Sequence, residues 1–308
     1  MSPPAPDASV VVVTHQSEGV VARCLSSVAS SVGPGTLEVL VVDNASTDRS
    51  RDLAAAAGAT VVALDRNLGF AAAANRGLAL ARGRHVVLLN PDAFPDPGAI
   101  SALLRRLDAT PAAGIVGAAL RYPSGALQPS AGRMPSLRGA LWLALGLHRT
   151  PLARRREVAL LAHPRHYRSP RRVDWVTGAF CAARREIGPL PEAGFMYGED
   201  VEWARQAAQA GHEVWVEPAA RAVHGVAASS RGTAAGASQR LRVAFDDRWF
   251  ARRGRAAVLA ARGVALLHGG LRWTVFAGLG AIGVRSSGPS REGAALVRAA
   301  IARPGRPT

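Results

Sequence analysis

What most restricts the fold of this chain is a series of short β-branched and aliphatic runs, each followed by a polar residue and then by a helix-forming stretch. Val10–Val13, Leu37–Val42, Thr60–Leu64 and Val86–Leu89 read as strands. Runs this short suit buried strands better than buried helices, which need about ten residues or more. Between them, Ser17–Ser30, Arg51–Ala57 and the alanine-rich Phe70–Ala81 read as helices. Ser46 is expected to cap the second of these, with Asp48 in its first turn. Strands alternating with helices imply a parallel α/β sheet. Such sheets bind ligands beyond the carboxyl ends of their strands. Thr14, Asp43 and the turn Asn90–Asp92 each stand immediately after a strand, so three polar strand ends are expected along one edge.

The pattern dissolves from Arg121 to Arg172, which is rich in Pro, Gly and Arg around an apolar island at Leu141–Leu147. Val173–Ala182 recovers strand character, Val201–Ala210 is helical, and Val214–Val216 reads as a final strand. After about Ser230 the composition shifts. Gln239–Arg285 mixes arginines with the apolar runs Val258–Ala261, Val264–Leu267 and Trp273–Val284. A helical appendage suited to a membrane surface is the reading. The expected division is a disordered N-terminus over 1–7, one α/β domain over 8–230 and a basic, apolar helical region over 231–308.

Composition narrows the function classes. With 308 residues, 48% of them hydrophobic, the chain can bury one large core or one domain plus an appendage. The formal net charge of +16, carried by arginine since no lysine is present, calls for an anionic partner. Arg252, Arg253, Arg255, Arg262 and Arg272 flank the C-terminal apolar runs. Beside an anionic leaflet each contributes ~1 kcal/mol; the alternative is a solvated helix pair packed on the core. Nucleic acid is disfavoured, because no aromatic-interleaved platform or recognition motif accompanies the charge. Met1–Ala8 lacks the basic segment and apolar run of a signal peptide. No uncharged apolar run reaches the ~18 residues of a spanning helix. The expected location is therefore the cytoplasm, peripheral at the inner face of the plasma membrane. Cys24 and Cys181 offer neither a disulfide framework nor metal spacing, and read as buried free thiols.

Four places carry chemistry. Asp92, after a strand, suits a divalent cation that also keeps waters and substrate phosphates, or is simply a turn residue beside Pro91. Asp43 can accept a hydrogen bond from a nucleobase, or belong to the cap of the next helix. Glu199 and Asp200 open a helix, where the macrodipole favours acids; alternatively one of them is a general base for a hydroxyl proton. His224 is structural or a ligand. Phosphate-binding Walker sequences, a glycine fingerprint after a strand and a nucleophile elbow are all missing. Their absence disfavours nucleotide hydrolases, dehydrogenases and esterases.

Taken together, and in this order, several segments resemble the family-two glycosyltransferases, especially their rhamnosyltransferase-like branch. They are Val10–Thr14, Val41–Asp48, Asn67–Phe70 with Asn75 and Gly77, Leu88–Asp92, Val173–Ala179, Arg184–Glu186, Met196–Val201 and His224. The resemblance implies a GT-A fold, in which a Rossmann-like nucleotide-binding half runs continuously into an acceptor-binding half. It implies an inverting, single-displacement transfer from a nucleotide-sugar donor to a glycan or polyprenyl-linked acceptor. By the same analogy Asp43 contacts the base, and Thr14 lies beside the nucleotide. Asn67, Gly69 and Asn75 line the donor pocket. Asp92, with His224, holds Mg²⁺ or Mn²⁺ on the diphosphate. Asp200 is the catalytic base, and Trp175 and Glu199 shape the sugar and acceptor pocket. The branch favours rhamnose from dTDP-rhamnose; galactofuranose or another hexose from a UDP-sugar is the alternative, and a catalytically inactive scaffold of the same family is a third reading. Some positions depart from the family. His15 and Gln16 stand where Tyr and Asn are usual, and Asn90 replaces the first acid of the D-x-D motif. Pro189–Pro191 replaces a Gly-Phe-Asp run, and Gly225 and Val226 follow His224.

Overall fold

The structure is a computed structural model that describes residues 5–32, 36–145, 160–192, 198–225, 250–251 and 254–281. Met196, Tyr197, Val226, Arg252, Arg253 and the end of the run that begins at Trp273 lie outside them. The chain forms two compact units. The first comprises Met1–Arg133 and Leu160–Ser229, the second Met134–Ala159 and Ser230–Thr308. The stretch Met134–Ala159, expected within the larger domain, thus groups with the C-terminal residues.

The first unit begins as the strand–helix alternation requires: β1 (Ala8–Thr14), α1 (Val21–Ser30), β2 (Leu37–Asp43), α2 (Ser50–Ala56), β3 (Thr60–Ala63), α3 (Phe70–Leu80) and β4 (His85–Leu89). These strands lie in the order β3-β2-β1-β4, all parallel. Every residue of β1 is buried, because the sheet is covered on both faces. Val10 and Val12 join the core cluster that holds Val21, Cys24 and Val28 of α1. Val11 points the other way and meets α3 at Gly77, where an added Cβ would sit 2.5 Å from a Val11 methyl.

The second half of the unit adds antiparallel pairings that make the sheet mixed. It contributes β5 (Ala93–Pro95), α4 (Ala99–Ala109), β6 (Ala113–Arg121), β7 (Leu127–Gln128), β8 (Ala131–Gly132), β9 (Arg171–Val173), β10 (Trp175–Val176), β11 (Phe180–Arg184), α6 (Glu199–Gln209) and β12 (Glu213–His224). β11 runs antiparallel between β4 and β6. β12 is parallel to β6 and antiparallel to β5.

Four details differ from the sequence reading. Val173–Ala182 is three short strands rather than one. β12 continues through Pro218 to His224, because a register shift between Glu217 and Arg221 absorbs the proline. α2 starts at Ser50, and it is Asp48 that accepts the Ser50 N–H at 3.0 Å; Ser46 is buried upstream and does not cap. Pro6 and Asp7, read as disordered, lead into β1 between the starts of β2 and β4: Asp7 N–H donates to the Thr36 carbonyl, and Arg84 and His85 N–H donate to the Pro6 and Asp7 carbonyls.

In the second unit, α5 (Leu137–Ala144) packs against α7 (Arg255–Ala281). α7 buries Ala261, Ala265 and His268 and leaves Leu259, Leu266 and Leu267 exposed. Among the described residues, no helix is long and apolar enough to cross a membrane.

Candidate active site

The chain leaves β1 on one side to build β2 and β3, then returns on the other side with β4. Such a reversal opens a crevice beyond the strand ends, here between β1 and β4. Thr14 is the last residue of β1, and the turn Asn90–Asp92 follows β4. The polar strand ends therefore do gather on one edge.

At the β2 end, Asp43 has no exposed surface. Its Oδ1 accepts the Thr14 hydroxyl at 3.1 Å, its Oδ2 accepts the Ser46 N–H at 3.0 Å, and Arg51 Nε stands 3.3 Å from that same oxygen. The carboxylate that the resemblance gives to the base is engaged within the protein. Its neighbour Asn44, which sequence reasoning did not single out, ties the Asn67–Gly69 loop to the sheet. Asn44 Oδ1 accepts the Leu68 N–H at 2.8 Å, and its Nδ2 donates to Asn67 Oδ1 at 2.8 Å and the Gly69 carbonyl at 3.3 Å. Asn67 is exposed at the edge and also accepts the Gly69 N–H. Gly69 has φ 83°, a conformation that favours glycine, and lets α3 start at this edge. Asn75 lies deeper in α3 and does not join them. Its carboxamide is occupied by the Leu190 N–H and carbonyl and by Glu192, so it anchors the loop leading toward α6 rather than facing a donor.

At the β4 end, β5 begins at Ala93 and pairs with the end of β12, placing His224 opposite Ala93. His224 Nε2 consequently lies 3.2 Å from Asp92 Oδ1, both side chains only slightly exposed. The other imidazole nitrogen contacts the Gln128 carboxamide, at 3.0 Å, which orients the ring. Asn90 Nδ2 lies 3.3 Å from His224 Nε2. The pair suits a divalent ion: two cis ligands each about 2.1 Å from an octahedral metal lie roughly 3 Å apart. Among the described residues no group of three or more His, Cys, Asp or Glu side chains gathers to hold a metal. A pair is still the donor set expected for an ion that shares its shell with phosphate oxygens and water.

Asp200, in the first turn of α6, reaches the same edge beside the neighbouring strand β11. Asn90 N–H donates to the Ala179 carbonyl at 2.8 Å, just beyond the Phe180–Leu89 pairing of β11 with β4. Gly178, next in line, directs its N–H at Asp200 Oδ2, 3.4 Å away. Thr177 also hydrogen-bonds Asp200, and Val201 N–H donates to its Oδ1 at 2.8 Å. Burial pushes the Asp200 carboxyl above the usual carboxylate range, against the opposing pull of those hydrogen bonds. A side chain on Gly178 would meet both Phe70 and Asp200, so the start of α3 adjoins the acid. Glu199 opens α6 beside Asp200, partly buried. Trp175 stacks flat on Gly132, where an added Cβ would fall 2.4 Å from the ring, and its Nε1 donates to the Arg133 carbonyl at 3.0 Å. Trp175 is two residues from Thr177, which hydrogen-bonds Asp200.

A strand edge that unites an Asp–His pair with a carboxylate whose pKa is raised marks the candidate active site of an α/β enzyme. Residues 9–176 match the family model "Glycosyl transferase family 2", and the chain belongs to that family. It is a glycosyltransferase with a GT-A fold. It is 33% identical over 237 residues to N-acetylglucosaminyl-diphospho-decaprenol L-rhamnosyltransferase of Mycobacterium tuberculosis, covering 70% of this chain and 75% of that protein. Succinoglycan biosynthesis protein ExoO of Rhizobium meliloti is 36% identical over 116 residues, 35% of this chain and 33% of the relative. Among solved structures, the mannosyltransferase PcManGT of Pyrobaculum calidifontis, in complex with GDP-Man and Mn²⁺, superposes with a TM-score of 0.60 at 19% identity, over 97% of this chain and 87% of that one.

Proposed function

We propose that this glycosyltransferase moves a sugar from a nucleotide-sugar donor to a hydroxyl of a lipid-linked or cell-envelope glycan acceptor, by one inverting displacement. The observation that carries the reading is the meeting of Asp92–His224 and Asp200 on one sheet edge, linked through Asn90, Ala179 and Gly178. Asp92 and His224 would hold Mg²⁺ or Mn²⁺. When bound, that ion supplies charge stabilisation for the departing diphosphate. Asp200 accepts the proton of the attacking hydroxyl, a task for which burial makes its carboxylate a stronger base. Trp175 and Glu199 flank the acceptor, and Asn44, Asn67 and Gly69 shape the donor side. Rhamnose from dTDP-rhamnose is the donor favoured by likeness to the mycobacterial rhamnosyltransferase.

The second unit supports a peripheral place at an anionic membrane, where a polyprenyl-linked acceptor would lie. Leu259 and Leu266 are seven residues apart on the outward face of α7, with Arg255 exposed on the same helix.

The test is thermal unfolding with a panel of UDP-, GDP- and dTDP-sugars, with and without Mg²⁺ or Mn²⁺. A donor at a hundred times its Kd should stabilise the fold by about 2.7 kcal/mol. The expected result is a metal-dependent rise with the dTDP-sugar. No rise with any nucleotide under either metal would overturn the reading.

A further inference from the structure

A buried carboxamide with a single side-chain partner stands behind the Asp92–His224 pair. β6 supports both members of the contact: Leu120 pairs with Gln128 of β7 on one side and with Ala222 of β12 on the other. His224 follows Ala222 by two residues, so its side chain leaves the same face of the sheet. The Gln128 side chain is buried, and both of its polar atoms face one ring nitrogen. Its Nε2 lies 3.0 Å from His224 Nδ1, and its Oε1 lies 3.2 Å from the same atom. Among the described residues the imidazole is the one side chain that its carboxamide bonds.

Both ring nitrogens of His224 therefore meet a donor and an acceptor. At Nε2, Asp92 Oδ1, 3.2 Å away, takes a ring hydrogen, and Asn90 Nδ2, 3.3 Å away, gives one to a ring lone pair. At Nδ1, Gln128 supplies the matching half in either case. When the hydrogen is on Nε2, Gln128 Nε2 donates to the Nδ1 lone pair; when it is on Nδ1, Gln128 Oε1 accepts it. A divalent cation binds the lone pair of a ring nitrogen, so a cation at Nε2 requires the hydrogen on Nδ1. A carboxylate in place of Gln128 could only accept, and an apolar side chain could do neither.

We infer that Gln128 is the positioning residue of the ion site: by giving a hydrogen to His224 Nδ1 or taking one from it, its carboxamide lets Nε2 exchange Asp92 for a divalent cation with the other ring nitrogen paired throughout. The inference rests on the Asp92–His224 ion site proposed above and assigns the residue that tunes its affinity.

The experiment follows Mn²⁺ binding by electron paramagnetic resonance, with dTDP present, in wild type and three variants. Gln128→Met, apolar and of similar size, should bind the ion about 10–100-fold more weakly than wild type. Gln128→Glu, which can only accept, should bind it at least as tightly as wild type. The nitrogen-15 histidine spectrum of Gln128→Glu at pH 8 should place the His224 hydrogen on Nδ1. Wild-type affinity in a folded Gln128→Met protein, weakened binding in Gln128→Glu, or a His224 hydrogen on Nε2 in Gln128→Glu overturns the inference and leaves the ion site standing. If Gln128→Met fails to fold, the two Gln128→Glu readings decide alone. The third variant, His224→Ala, tests the site itself: wild-type affinity there, or no bound Mn²⁺ in wild type, removes the ion reading and this inference with it.

Discussion

Replacing Asn44 with alanine removes the amide that fastens the Asn67–Gly69 loop to the end of β2. Three hydrogen bonds are lost, to Leu68 N–H, Asn67 Oδ1 and the Gly69 carbonyl. At about 0.5–1.5 kcal/mol net each, the upper bound is roughly 4.5 kcal/mol. The true cost should be smaller. The bond to Gly69 is long, at 3.3 Å, and Asn67 is exposed, so water can replace the lost donor there. A loss of about 2 kcal/mol is expected, which for a domain of this size lowers Tm by roughly 4–8 °C. Since the proposed donor side includes the freed loop, donor Kd should rise as well. Asn44→Asp keeps the acceptor for Leu68 and should fall between alanine and wild type. Urea melts with calorimetric donor titration measure both effects. Wild-type stability and wild-type Kd in Asn44→Ala would refute the assignment of this side chain as the loop's anchor.

Three further outcomes follow from the same geometry. Gly77→Val should destabilise by about 1–3 kcal/mol in a urea melt, because its Cβ would press on Val11 at 2.5 Å and Val42 at 3.1 Å on the adjacent strands β1 and β2; an unchanged midpoint would contradict the close seating of α3. Burial pushes the thiols of Cys24 and Cys181 up to about 12, so neither should react with iodoacetamide at pH 8 until the protein is unfolded, as mass spectrometry would show. Asp200 has a raised pKa in the folded state, so it binds more protons folded than unfolded between the usual carboxylate range and its raised value. Its contribution to stability is therefore greatest in acid and declines as pH rises through that window, whereas the transfer rate rises with pH as the base ionises; an Asp200→Asn protein should lose this part of the pH dependence in thermal melts.

The first half of the sheet was legible because β1 to β4 are concentrated β-branched runs bounded by polar ends. The second half was not. β6 is Ala-Gly-Ile-Val-Gly-Ala-Ala-Leu-Arg, a strand poor in β-branched residues. It is central nonetheless, and its Gly117 leaves room for Val176 to lie against the backbone. α4 and β5 were likewise unread, and β12 seemed to end at the proline that its bulge accommodates. In the candidate site, Asp92, His224 and Asp200 stood out in the sequence as reactive groups at element ends, and the structure places Asp92 beside His224 and Asp200 against Gly178. Roles that depend on who already holds a side chain were hidden. Asp43 and Asn75 looked free in the sequence but are bound within the protein, and Asn44 and Gln128 looked ordinary but position the loop and the imidazole.

In the proposed mechanism Asp200 takes the acceptor's proton while the donor is held at Asp92 and His224. It is tested most directly by the single-turnover rate of sugar transfer in Asp200→Asn, with donor Kd and melting temperature measured on the same protein. The expected result is a rate lower by about 10²–10⁴-fold, an unchanged donor Kd and, because a buried charge has been removed, a melting temperature no lower than wild type at neutral pH. Transfer at the wild-type rate by a folded, donor-binding Asp200→Asn protein would contradict it.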